Sequence, residues 1–288
     1  MTTAEHPNEH PTGPATEPPR QHPSLRASAF RARYGSWAVV AGGSEGIGAA
    51  FAEALARRGL SLVLLARRPE PLAATAQRLR DEHGVEVRTL ALDLASAAVA
   101  AEVAAATAEL DVGLLVCSAA VSRVAPFFAV PLAEKERMLD VNCRAPLALV
   151  HALGERMLAR GRGGIVLLSS LAGIYGGPYV ATYAASKAFL CLLAESLAEE
   201  TVAHGVDVLA CVAGPTRTPT YAREASGRFA PMEPATVAEQ TLAALGHKTV
   251  VIPGSFNRLS SRLLRLLPRR WLVKLVAAQT RKLLVPPP

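Results

Sequence analysis

The sequence predicts a doubly wound α/β fold, a parallel sheet of about seven strands with helices on both faces. From Trp37 onward, short runs rich in Val, Leu and Ile alternate with longer Ala-rich stretches of helical periodicity. The runs are apolar on both faces, as strands are when helices cover both sides of a sheet. A glycine-rich turn stands at the first strand-to-helix junction and bears on function as well as fold.

A chain of 288 residues suits one domain of this kind. Half of the residues are hydrophobic, enough for a sizeable core. The net charge of +7 is concentrated at one end. Arg258, Arg262, Arg265, Arg269, Arg270, Lys274, Arg281 and Lys282 lie in a tail, 255–288, that has no acid. The remainder is near neutral, which argues against a nucleic-acid-binding core. Cys117, Cys143, Cys191 and Cys211 form no C-x-x-C pair and have no histidine at metal-ligand spacing. They read as buried small hydrophobes in a reducing compartment, with no metal site. No apolar run is long enough to span a membrane. The opening MTTAEHPNEHPTGPATEPPRQHP lacks the apolar stretch of a secretory signal. A cytoplasmic location is expected. With six prolines in its first 23 residues, segment 1–33 is expected to be disordered. Residues 34–254 form the domain, and 255–288 a basic amphipathic tail.

Strands are expected at Trp37–Ala41, Ser61–Ala66, Val85–Ala91, Val112–Ser118, Gly163–Ser169, Val206–Val212 and Thr249–Ile252. The first runs into Gly42-Gly43-Ser44-Glu45-Gly46-Ile47-Gly48 and then a helical stretch. Glycines let the backbone turn sharply and approach a pyrophosphate, which the free N–H groups of the helix start would hold. The second strand ends at Arg67-Arg68, about twenty residues on, where an NAD site wants a carboxylate and an NADP site a guanidinium. NADP(H) is therefore the expected cofactor, with Arg67 as its main 2′-phosphate contact. Asp93, ending the third strand, is placed to touch an adenine, with Leu94 beside it; its alternative role is a helix N-cap.

Tyr183-Ala-Ala-Ser-Lys187 sits in a helical stretch, so phenol and ammonium share one face. A nearby cation favours the phenolate and makes proton exchange feasible near neutral pH. Ser170 closes the fifth strand at the carboxyl edge, where open α/β sheets bind ligands. Its neighbour Ser169 points to the opposite face. Asn142 precedes Pro146 by four residues. Proline has no N–H, so the Asn142 carbonyl should lack its helical partner and the helix should bend there. That carbonyl could hold a water next to Lys187.

Together these residues resemble the short-chain dehydrogenase/reductase family, in its shorter single-domain type, over roughly residues 34–253. The resemblance implies a Rossmann-type fold and a proton relay. Tyr183 would be the general acid or base. Lys187 would lower its pKa and hold the nicotinamide ribose. Ser170 would bind the reacting oxygen, and Asn142 would anchor a water. Dimers or tetramers are common in the family, which implies a homo-oligomer. The chain departs from the pattern at four places. Ala41-Gly42 stands where the family has Thr-Gly, which removes a hydroxyl that ties strands together. Cys117-Ser118-Ala119-Ala120 stands where it tends to read Asn-Asn-Ala-Gly. Ala213-Gly214 replaces Pro-Gly, followed by Pro215-Thr216-Arg217-Thr218. Gly214 can still approach the nicotinamide, with Thr216 beside it, and Thr218 fits the residue that bonds the carboxamide. Glu45 occupies a turn position that is often basic in NADP users, which leaves NAD(H) open as the alternative.

Residues 219–232 should cover the substrate and include Tyr221, Phe229 and Met232, while Tyr175 and Tyr179 approach from the other side. An apolar, partly aromatic pocket suits a lipid-, steroid- or acyl-like carbonyl or alcohol; alternatively these residues only pack the lid. Residues 258–285 alternate leucines and arginines around Pro268 and carry Trp271. This pattern fits either a helix on an anionic membrane surface or one packed on protein. Hydride transfer leads the functional readings. Epimerase or dehydratase chemistry on the same scaffold, and dinucleotide binding without chemistry, are the alternatives.

Overall fold

The computed structural model describes residues 23–224, 230–264 and 266–281. Strands β1 (Trp37–Ala41), β2 (Ser61–Ala66), β3 (Val87–Ala91), β4 (Val112–Cys117), β5 (Gly163–Ser170), β6 (Val206–Ala213) and β7 (Val250–Val251) form one sheet. Their order is β3-β2-β1-β4-β5-β6-β7, and every pairing is parallel. The chain winds outward from β1 to β3, then crosses back to β4. The resulting reversal between β1 and β4 is where such sheets open a crevice at their carboxyl ends.

Alternation along each strand builds two cores. Ala38 and Val40 of β1 join Leu62, Leu64, Leu114 and Val116 on one face. Helices α2 (Gly46–Ala56), α3 (Pro69–His83) and α9 (Pro234–Ala244) cover it with Phe51, Leu72 and Val237. Trp37, Val39 and Ala41 join Val63, Leu65 and Leu115 on the other face. There α4 (Val99–Ala106), α6 (Ala145–Arg160) and α7 (Ala181–Thr201) contribute Val103, Leu149 and Leu190. The last strand is shorter than expected, because as an edge strand it pairs only with Ala210 and Cys211. Cys117 and Cys211 are buried, and burial pushes their thiols up to about 12. Cys143 and Cys191 are only half-buried, so the reading of all four as buried hydrophobes holds for two.

The amino-terminal expectation needs correcting. Pro23–Tyr34 is a helix, α1, not a disordered segment. Phe30 and Tyr34 pack into the first core. The Tyr34 hydroxyl donates to Asp207 Oδ2 at 2.8 Å, and Arg33 donates to the same carboxylate at 2.7 and 2.8 Å. Burial, then the Asp207 hydrogen bond, raises the Tyr34 pKa above the ordinary tyrosine value. Composition missed this helix because its partners lie on β4, β5 and β6, far along the chain. Residues 1–22 fall outside the described residues. Tyr34→Phe should cost about 1 kcal/mol, the worth of one hydrogen bond, measured by urea unfolding. A neutral result would mean that α1 is only loosely attached.

The tail forms α10 (Ser255–Leu264) and α11 (Arg269–Arg281) on either side of Pro268. Leu272 of α11 is fully buried, and the Tyr175 hydroxyl donates to Ser261 O at 3.2 Å. Both helices are therefore anchored on the domain.

Candidate active site

A cleft of about 640 Å³ opens over the carboxyl ends of the strands at the β1/β4 reversal. The glycine turn forms one wall. Gly42 adopts φ +91, and a Cβ there would stand 2.7 Å from Ala119 N. A Cβ on Gly48 would lie 2.0 Å from Gly42 O. Only glycine lets the turn close against the end of β4. The next residues begin α2, whose start has no side-chain cap, and Gly46, Ile47 and Gly48 line the cleft. Unsatisfied N–H groups at such a start suit a phosphate. Ser44 and Glu45 line the same wall.

The departures at Ala41 and Ser118 offset each other. Ser118 Oγ donates to Ala41 O at 2.8 Å, and the amides of Ser118 and Ala119 donate to the same carbonyl at 2.9 Å. The tie that a threonine hydroxyl would make from β1 is made here from β4.

Arg67 and Arg68 both reach the cleft. Arg68 pairs with Glu45 at 2.7 Å, which neutralises the turn's carboxylate. Arg67 is exposed, and among the described residues it has no ion-pair partner. Asp93 Oδ1 accepts the Ala95 amide at 3.0 Å, and its carboxylate accepts from Arg137 at 3.0 Å. These partners, the backbone first, hold its pKa below the usual carboxylate range. Leu94 is buried beside it and lines the cleft.

Ser170, Tyr183 and Lys187 line the same cleft. Ser170 Oγ accepts the Ala172 amide at 3.2 Å, which leaves its own proton to donate. Ser169 Oγ instead donates to Lys187 O at 2.7 Å and is buried, as the alternation of β5 requires. Lys187 is only 2% exposed. Its ammonium donates to Leu168 O at 2.7 Å and lies 5.6 Å from the Tyr183 ring centroid. Burial lowers its pKa to about 8. An ammonium near a phenol stabilises the phenolate.

Just before Pro146 the helical run is interrupted by a π-helical turn at Asp140–Arg144, between α5 (Leu132–Leu139) and α6. Such turns relieve a missing helical bond. Asn142, fully buried within it, works through its side chain. Oδ1 accepts the Val121 amide at 2.8 Å, and Nδ2 donates to Val121 O at 2.9 Å and Ser186 Oγ at 3.0 Å. It braces the loop after β4 against α7, one residue from Lys187.

Gly214, Thr216 and Thr218 line the cleft beyond β6. Thr216 Oγ1 donates to Gly214 O at 2.9 Å, and Met232 pairs with this strand end through Pro215 and Arg217. Tyr221, on the short helix α8 (Pro219–Glu224), lines the cleft as expected. Tyr175 and Tyr179 are not among the residues that line it, and their hydroxyls meet the tail. Tyr175 bonds α10, and the Tyr179 hydroxyl accepts from Arg281 Nε of α11 at 3.1 Å. Tyr179 also holds a left-handed backbone at φ 67, rare for an aromatic residue. Phe229 lies outside the described residues. Two tail residues were missed from sequence. Thr280 lines the cleft from α11, and Asn257 of α10 packs so closely on Gly214 that a Cβ there would meet Nδ2 at 2.4 Å. No local signal marks either, because both act through folding back of the tail.

Residues 36–228 match the family model described as short chain dehydrogenase. The chain is 35% identical over 233 residues to a 7beta-hydroxysteroid dehydrogenase of Clostridium sardiniense, covering 80% of this chain and 89% of that protein. A solved structure concerned with 7beta-hydroxysteroid dehydrogenase stereoselectivity superposes with a TM-score of 0.82 at 29% identity, covering 86% of this chain and 99% of that one. A short-chain dehydrogenase from Sphingobium yanoikuyae in complex with NADPH gives a TM-score of 0.71 at 30% identity, covering 81% and 96%.

Proposed function

The chain belongs to the short-chain dehydrogenase family and is an oxidoreductase, and from that premise we propose that it uses NADP(H) to interconvert a ketone and a secondary alcohol on a bulky apolar, steroid-like substrate. The observation that carries this reading is the shared cleft. Ser170, Tyr183 and Lys187 line the same cleft as the glycine turn and Arg67.

The uncapped start of α2 suits a pyrophosphate, and Arg67 suits a 2′-phosphate; both features fit a phosphorylated dinucleotide. When bound, NADP(H) supplies or accepts the hydride. The chain's own residues manage the oxygen. Ser170 donates a hydrogen bond that fixes the carbonyl. Tyr183 gives the oxygen a proton in reduction and takes one in oxidation. Lys187, held by Leu168 O, biases Tyr183 toward the phenolate. Asn142 keeps the β4 loop and α7 in register. Tyr221 and the apolar residues Val121, Val141 and Leu171 border the space left for the substrate. The steroid class rests on the similarity to 7beta-hydroxysteroid dehydrogenase together with this apolar border.

Fluorescence titration with NADPH and NADH tests the cofactor. The wild type should prefer NADPH, and Arg67→Ala should weaken NADPH binding roughly tenfold or more, the worth of one charge-assisted bond, with NADH unaffected. Tighter binding of NADH would reject the assignment of NADP(H). Turnover of a 7beta-hydroxysteroid, its ketone and other bulky ketones then tests the substrate class.

A further inference from the structure

Helix α10 is amphipathic in the inverted sense. In α10 the inward positions are polar: Asn257 and Ser261 are buried. Phe256, Leu259 and Leu263, three and four residues apart on one face, point to solvent, with Phe256 72% exposed. Leu266, 81% exposed, and Leu267 continue the apolar run to Pro268, and α11 adds Trp271 and Leu275. A helix that serves only its own domain buries this stripe. Here the stripe is left outside. Arg258, Arg262, Arg269, Arg270 and Lys274 are exposed along the same segment, and no Asp or Glu occurs between residues 255 and 281.

We propose that residues 256–275 are a docking surface for an anionic lipid bilayer. The large apolar side chains enter the headgroup boundary, and the cations meet lipid phosphates. Trp271, with Lys274 Nζ 5.5 Å from its ring centroid, has the amphipathic character of an interfacial anchor. Charge decides among occupants. A second copy docked by two-fold symmetry would set this acid-free cationic surface against itself. A nucleic acid would match the charge but leave the apolar stripe in water. No described helix is long and apolar enough to cross a membrane, so the segment lies in the surface plane. Because α11 also supplies buried Leu272 and the cleft residue Thr280, docking there would fix the orientation of the active site to the bilayer.

Cosedimentation of the full chain with vesicles tests this without any substrate, so it stands apart from the proposed chemistry. Phosphatidylglycerol–phosphatidylcholine vesicles are compared with pure phosphatidylcholine, for wild type, for L259S/L263S/L266S and for R258E/R262E. The wild type should bind the anionic vesicles at least about tenfold better, and added salt should weaken this binding. Both variants should lose about tenfold in vesicle binding while still binding NADPH, since every substituted side chain is exposed. Absence of wild-type pelleting, or equal binding to neutral vesicles, overturns the proposal. So does a wild-type dimer in light scattering that the leucine variant splits without any change in vesicle binding; a second copy would then cover the face.

Discussion

Tyr183→Phe should lower kcat for ketone reduction by about a thousandfold or more and leave NADPH affinity within a few-fold of wild type. The substitution removes one oxygen and keeps the ring. Positioned proton transfer contributes on the order of 10²–10⁴ in rate, and removal of the proton donor should forfeit most of it. The ring contact with the Lys187 ammonium survives, so the wall of the cleft should keep its shape. NADPH consumption with a bulky ketone, paired with fluorescence titration, separates the two effects. A variant that keeps a tenth of wild-type kcat would show that another group protonates the oxygen. Loss of NADPH binding with intact kcat would instead make Tyr183 a cofactor contact only.

That prediction could have been written from the sequence, and the reason is local. Tyr183 and Lys187 need only a helix to meet, and the strand end at Ser170 needs only the alternation of β5. The glycine turn is similarly local, and β1 and β2 occupy the expected residues because their apolar runs end at sharp turns. Legibility fails where a residue's partner is distant. Pro146 announced the interruption at Asn142, but the carboxamide partners Val121 and Ser186 lie 21 and 44 residues away, and nothing local to Asn142 identifies them. Helix α1 depends on Asp207, 173 residues beyond Tyr34. Tyr175 and Tyr179 read as pocket residues because they precede Tyr183. Their hydroxyls are taken instead by Ser261 and Arg281, 86 and 102 residues later. The same folding back brings Thr280 into the cleft wall. An amphipathic tail says that it will lie on something, and only the tertiary structure says which face does so.

Lys187→Met should nearly abolish turnover and make the protein more stable at pH 7. The lysine is buried, with desolvation the dominant cause of its depressed pKa of about 8, against an ordinary value of 10.5. Below about pH 8 the folded chain therefore carries a buried ammonium that the unfolded chain keeps in water. The displacement corresponds to roughly 3 kcal/mol of destabilisation, at about 1.4 kcal/mol per pH unit. Methionine matches the stem without the charge. It leaves the Leu168 carbonyl without its 2.7 Å partner, which returns about 1 kcal/mol. A net gain of about 2 kcal/mol, several degrees in Tm for a domain of this size, should remain. The pH dependence fixes the sign. Between about pH 8 and 10.5 the unfolded wild type binds more protons than the folded form, so wild-type stability rises with pH across this window. The variant lacks the group and misses that rise, so its advantage should shrink toward alkaline pH. Urea unfolding of both proteins at pH 7 and pH 10 reads the difference directly. A variant less stable than wild type at pH 7 would mean that the ammonium is better satisfied in the folded protein than its burial implies. A variant more stable yet inactive would identify Lys187 as a charge kept at the expense of stability because the phenol beside it must titrate.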